Sequence, residues 1–236
     1  MLECDLHVHS IRSTCGFHTL FELVSIIRER ELKGFALTDH SPIHGTPRAH
    51  FSVMLRRMPS VINGVRVFKG IEATILNRDG ELALPVFEEL SFEIILAGLH
   101  EYGEFTDSSD RERNTRAVIN VMKKNPAVKV ITHPFYKAFP LDLDAVTDVA
   151  TETGTALEIN NSYLLMDKAD TDALGRLLEH AGEKGTLLSI NSDGHMFNEI
   201  GMFDKALGFI KPYGIGNFTI VNRTLESTCA FLELEE

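Results

Sequence analysis

The chain has 236 residues, with 34 acidic against 23 basic side chains and a formal charge of −11. That balance argues against a surface for long nucleic acid, which is gripped by a surplus of Lys and Arg, although bound metal ions would still let a small anion approach. The length fits one α/β domain spanning residues 1–236, and the three scattered cysteines, Cys4, Cys15 and Cys229, form neither a CxxC pair nor a disulfide framework.

The opening MLECDLHVH has no basic stretch followed by an apolar one, and no apolar run approaches the ~18 residues of a membrane span. A reducing, cytoplasmic setting is expected. Seven apolar, β-branched runs then follow in order, each ending on a polar residue. LECDLHVH ends on His9, GFALTDH on His40, VRVFKGIE on Glu72 and FEIILAGLH on His100. VKVITH ends on His133, TALEIN on Asn160, and TLLSINSDGH carries Asp193 and His195. The spacing of roughly thirty residues is about one βα unit.

Helical patterns fill the intervals. Thr19 and Glu22 form a capping-box signal ahead of LVSIIRERELK, with Gly34 expected to close that helix. DLDAVTDVATETG ends on Gly154 in the same manner, and DALGRLLEHAGEKG reads as an amphipathic helix with a glycine exit. Near-continuous hydrophobic strands alternating with helices predict a parallel sheet covered by helices. The expected fold is a distorted seven-stranded (β/α) barrel, TIM-like. A doubly wound open sheet is the alternative, but no GxGxxG follows the first strand.

In a closed parallel barrel, chemistry gathers at the carboxyl ends of the strands. Six of the ten histidines, His7, His9, His40, His100, His133 and His195, fall at those ends together with Glu72 and Asp193. His7 and His9 are two apart, so on a strand both face one side. Mixed nitrogen and carboxylate ligands suit zinc, and also manganese or iron. Eight ligands exceed the needs of one tetrahedral ion, so two or three divalent ions are expected, with a carboxylate such as Glu72 bridging a pair. A metal-bound water would then be the nucleophile, and no Ser or Cys nucleophile is required.

DLHVHS, TDH, THP and SDGH together resemble the four motifs of the PHP (polymerase and histidinol phosphatase) superfamily, essentially from end to end. GIEA, AGLHE, ITHP and ALEINNS bring the chain closest to its stand-alone, three-metal phosphatase branch. The resemblance implies that His7, His9, Glu72 and Asp193 hold one ion. Glu72, His100 and His133 would hold a second, and His40 with His195 a third, completed from the loop after the first strand. There the chain departs from the branch, since STCGFHTL stands where STHxxSTL is usual. Cys15 occupies the ligand position and is expected to complete the third site. His18, or an incomplete site, is the alternative.

Asp39 is a weak catalytic candidate, as a proton donor or orienting partner, with plain helix capping as the equal alternative. Glu158, Asn160, Asn161 and Ser162 either orient ligands or hold the following loop. Arg12, Arg48 and Lys137 are weak candidates for gripping the substrate. His44 and His50 are expected to be solvent-exposed, His180 at the surface, and Cys4, of opposite strand parity to His7 and His9, in the core with Cys229. The expected activity is phosphoester hydrolysis, on a small phosphorylated substrate and most simply a phosphomonoester. Action on diesters, nucleotides or short oligonucleotides is the alternative. A non-catalytic, metal-binding regulatory module is the reading of another class.

Overall fold

The computed structural model describes residues 2–85 and 91–235. Its strands are β1 (Cys4–Val8), β2 (Gly34–Leu37), β3 (Val61–Ile62), β4 (Val65–Thr74), β5 (Ile94–Gly98), β6 (Val128–Ile131), β7 (Ala156–Asn160) and β8 (Leu188–Asn191). The helices are α1 (Leu20–Glu29), α2 (Arg48–Arg57), α3 (Arg111–Lys124), α4 (Leu143–Thr153), α5 (Asn161–Leu165), α6 (Thr171–Lys184), α7 (Asp204–Ile210) and α8 (Leu225–Leu232). Seven strands pair in parallel in the order β1-β2-β4-β5-β6-β7-β8 and curl into a nearly closed barrel. The seven-stranded, single-domain expectation holds. The short antiparallel β3 is an addition: it turns onto β4 through Asn63 and Gly64, both at positive φ, as a tight two-residue hairpin demands.

Inside the barrel, two layers differ in chemistry. The floor is apolar, with Cys4, Leu6, Ala36, Phe68, Leu96, Val130 and Ala156 packed against Cys229 and Leu232 of α8, which plugs the bottom. The upper layer carries the polar strand ends. Around the outside, Val8, Phe35, Leu37, Val67 and Ile71 pack under the helices with Leu23, Val24 and Ile27 of α1.

β1 serves both inner layers only because it is irregular. Its register with β2 slips between Asp5 and Val8, a bulge that spends one extra residue. Cys4 and Leu6 therefore face inward below it, and His7 and His9 face inward above it. The inference that Cys4 lies in the core is right, but its parity argument is not, because the bulge reverses the alternation. Gly34 also differs from expectation. It begins β2 rather than closing α1, which ends at Glu29 with Arg30 as its cap. A Cβ at Gly34 would lie 3.0 Å from the Arg66 carbonyl oxygen, so close strand approach explains the glycine. Gly154 and Gly185 do close α4 and α6 in the left-handed region.

Between β8 and β1 there is no continuous ladder; a single bridge joins Val8 to Gly194. Side chains complete the seam. Asn222 donates to the carbonyls of Cys4 (2.8 Å) and Ile190 (2.6 Å) and accepts from the Ile190 N–H (3.1 Å). The Leu6 N–H donates to Asn191 (3.0 Å), and buried Asp5 accepts from the backbone of Ser192 (3.1 Å) and Gly201 (3.0 Å). Burial pushes the Asp5 carboxyl up to about 6, against the opposing pull of those donors. Because Asn222 satisfies buried backbone groups on both strands, Asn222→Ala is expected to cost about 2–4 kcal/mol in urea unfolding. Hydrogen exchange at Ile190 should accelerate ahead of the rest of the sheet.

Candidate metal centre

Glu72 lies at the upper end of β4, buried, with its backbone bridged to His40 at the end of β2. Its two carboxylate oxygens face different partners. Oε2 lies 3.4 Å from His7 Nε2, 3.6 Å from His9 Nε2 and 2.8 Å from His40 Nδ1. Oε1 lies 3.3 Å from His100 Nε2 and 3.2 Å from His133 Nε2. Asp193 Oδ1 stands across from Glu72, 3.5 Å from His7 Nε2 and 3.3 Å from His9 Nε2.

Four of these buried atoms, His7 Nε2, His9 Nε2, His40 Nδ1 and Glu72 Oε2, have no aligned hydrogen-bond partner. Leaving such groups unmatched is costly, and a shared cation relieves all four at once. The spacing agrees: bonds of about 2.05 Å in a tetrahedral zinc site place neighbouring donors about 3.3 Å apart. The donor set therefore fits divalent cations. Among the described residues three groupings bring one donor atom from each residue within 4.8 Å of the others. They are His7, His9 and Glu72; His40, Glu72 and His100; and His9, His40 and His195.

Backbone geometry makes this convergence possible. His133 has φ 35° and Asp193 φ 52°, in the left-handed region that non-glycine residues rarely enter. Consecutive strand residues normally face opposite ways. The turn at His133 lets both Thr132 Oγ1 and His133 Nε2 reach Glu72 Oε1, each at 3.2 Å.

A ring of second partners fixes the imidazoles. His7 Nδ1 lies 2.8 Å from Glu158 Oε1, so its N–H donates there and Nε2 presents its lone pair to the centre. Glu158 also accepts from the backbone of His133 (2.8 Å) and from Asn191 (2.9 Å). Its role is orientation, and Asn160 extends it by donating to both Glu158 and Asp193. Ser13 meets His9 Nδ1 at 3.1 Å, and Thr74 meets His100 Nδ1 at 3.1 Å.

The charges reinforce one another. Burial alone would raise Glu72, but His7, His100 and His40 hold it well below the usual carboxylate range. Burial opposes charge on His40 too, yet Glu72 and Cys15 lift it to about 10. His9 is pressed down to about 3 by burial and by His195 and His40 beside it.

Cys15 is exposed and lies beside His195 and His40 in the lining of the pocket that opens over the cluster. Partial burial raises its thiol, and those two imidazoles overcome this, bringing it down to about 6. His9, not Cys15, is the third member of the donor group around His40 and His195. His18 turns elsewhere, edge-on to Phe197 at 6.3 Å, and does not line the pocket.

Other expected residues lie outside it. Asp39 is buried below the strand end, accepting from Ser10 N–H (2.7 Å) and Oγ (2.8 Å), with His50 Nε2 2.8 Å away. Its carboxylate thus braces the β1 and β2 ends. His50 and His44 are half-buried rather than solvent-exposed; His44 Nε2 lies 2.8 Å from Thr74 Oγ1. His180 pairs with Asp148 at the surface. Arg12 lines a separate apolar groove of about 500 Å3 with Phe21, Met54 and Arg57. Arg48 is exposed at the start of α2, and Lys137 pairs with Asp167 at 2.8 Å.

The cluster opens into a pocket of about 220 Å3 walled by Cys15, Tyr163, Met166 and Lys168 beside the imidazoles and carboxylates. Tyr163 stacks on His133 with ring centroids 4.5 Å apart and planes 9° apart. Tyr163 and Lys168 carry no motif in the sequence; α5 and the turn after it bring them to the pocket.

A profile of the PHP domain matches residues 5–193. A "Probable phosphatase" of Syntrophotalea carbinolica is 36% identical over 232 residues, covering 98% of this chain and 95% of the relative. Another, from Shewanella sp. (strain MR-4), is 34% identical over 230 residues, covering 97% and 90%. In structure the chain resembles histidinol phosphate phosphatase from Lactococcus lactis subsp. lactis Il1403, solved with zinc, L-histidinol and phosphate. The TM-score is 0.71 at 17% identity, over 99% of both chains.

Gly98, at the end of β5, leaves the room this packing needs. A Cβ there would stand 2.3 Å from Thr132 Oγ1, 3.0 Å from His133 Cε1 and 3.3 Å from His100 Cε1. Gly98→Ala should fold, as judged by circular dichroism, yet bind zinc at least about tenfold more weakly in a chelator competition.

Proposed function

The chain belongs to the PHP domain family, and from that premise we propose that it is a metal-dependent phosphatase hydrolysing a small phosphomonoester. The relatives named probable phosphatases, matched over nearly the whole chain, support the activity. The single observation that carries the mechanism is the buried carboxylate of Glu72, with its two oxygens directed at separate sets of imidazoles.

On this reading His7, His9, Glu72 and Asp193 hold one ion, and Glu72, His100 and His133 hold a second. His40 and His195 hold a third, with Cys15 as the remaining ligand. Zinc suits the nitrogen, oxygen and sulfur donors together. Divalent ions so bound supply Lewis acidity and bring a water into the pKa range of a nucleophile at neutral pH. The chain's own residues do the rest. Glu158 fixes the His7 tautomer, Asn160 steadies Asp193, and Ser13 and Thr74 orient His9 and His100. The pocket's volume of about 220 Å3 admits a phosphoryl group rather than a polymer. The formal charge of −11 likewise disfavours long nucleic acid.

Zinc- or manganese-loaded protein is expected to release phosphate from a member of a monoester panel, with diesters turned over more slowly. His9→Ala should reduce kcat/KM by at least about a thousandfold. Faster diester cleavage would move the activity to phosphodiesters, and full metal occupancy with no turnover of either class would make the chain a binding module. For Cys15, cobalt-substituted protein should display a sulfur-to-metal charge-transfer band in the near ultraviolet. Cys15→Ser should abolish it, and elemental analysis should then find one ion fewer.

A further inference from the structure

Apart from its proposed metal ligands, the pocket holds one cationic side chain, Lys168, among its lining residues. Lys168 follows α5 in the segment that crosses the mouth from β7 to α6. Its backbone is pinned on both sides: its N–H donates to the Tyr163 carbonyl at 2.9 Å, and its own carbonyl accepts from the Lys137 N–H at 3.0 Å. The ammonium lies 5.4 Å from the centre of the Tyr163 ring, within cation–π range. Tyr163 in turn lies flat on His133. The ring thus places the charge one aromatic layer away from a proposed metal ligand.

The carboxylate nearest in sequence is engaged elsewhere. Asp167, at φ 55°, is captured by Lys137, whose Nζ donates to its carboxylate (2.8 Å) and its carbonyl (2.9 Å). Among the described residues Lys168 makes no ion pair, although acidic side chains outnumber basic ones across the chain. An exposed, unpaired ammonium on a backbone hydrogen-bonded on both sides, at a pocket lined by four imidazoles, is suited to an anion.

We propose that Lys168 is a substrate-binding residue whose ammonium grips an oxygen of the phosphoryl group, with the Lys137–Asp167 pair keeping the neighbouring carboxylate away from it. This rests on the phosphatase reading, and the test separates the two. Zinc-loaded wild type, Lys168→Met, Lys168→Arg and the remote control Lys123→Met are titrated with inorganic phosphate by calorimetry, and their zinc contents are measured. Lys168→Met should bind phosphate about tenfold more weakly at unchanged zinc content, the size of one charge-assisted contact. Lys168→Arg should recover most of the affinity, and Lys123→Met should match wild type. On any monoester the wild type hydrolyses, Lys168→Met should raise KM more than it lowers kcat. Phosphate affinity unchanged in Lys168→Met, loss of zinc from that variant, or no phosphate binding by the loaded wild type would each overturn the proposal. If phosphate binding depends on Lys168 but no monoester is hydrolysed, the phosphatase reading fails and the lysine's role stands.

Discussion

The upper half of the barrel is organised by one carboxylate almost wholly shielded from water. Glu72 is 1% exposed, and burying an ionised carboxyl without compensation costs far more than a domain's net stability can absorb. His7, His9 and His40 converge on one oxygen and His100 and His133 on the other. As a purely structural device this arrangement is poor, because apolar residues of similar volume would stabilise the same space at least as well. Its value is chemical: it keeps five imidazoles aimed at two sides of a single anion.

Holding that arrangement requires departures from regular structure, and they cluster where the imidazoles enter. The β1 bulge turns His7 and His9 inward above an inner face already used by Cys4 and Leu6. Left-handed backbone at His133 and Asp193 brings in side chains that a regular strand would send outward or let drift. Gly98 removes the one Cβ that would collide with His133 and His100. One of them, the β1 bulge, adjoins the seam between β8 and β1, where the ladder reduces to a single bridge. There Asp5, Asn191 and Asn222 substitute side-chain hydrogen bonds for a missing ladder.

Much of this was legible in advance because both signals are periodic. Buried parallel strands read as short apolar runs, and a barrel puts its polar residues at their carboxyl ends, so His9, His40, Glu72, His100 and His133 stood out together. What escaped was not periodic. Strand parity misjudged the reason for burying Cys4, since a bulge leaves no mark in composition. Gly34 fits a helix-stop pattern yet serves strand contact, because both uses need only a missing side chain. The Asn63-Gly64 hairpin was marked by its dipeptide and overlooked. The Pro/Gly-rich segment around His44 and His50 reads as an exposed loop, but it enters α2 at Arg48, and the imidazoles' partners, Thr74 and Asp39, come from strand ends that only the tertiary fold brings near.

The same limit applies to substrate selection. A pocket of about 220 Å3 is smaller than the roughly 300–1,000 Å3 of most small-molecule sites, so it holds the reacting group and little else. The remainder of a substrate must lie across the rim. There the segment after β7 presents Leu165 and Met166, about half exposed, beside Tyr163 and Lys168. These residues bear no motif and are set on, or just after, the short helix α5, which Asn160 caps, with Lys137 holding Asp167 beyond it. On the phosphatase reading the chemistry therefore rests on strand ends that sequence motifs mark, whereas contact with the rest of a substrate falls to the segment around α5, which no motif marks.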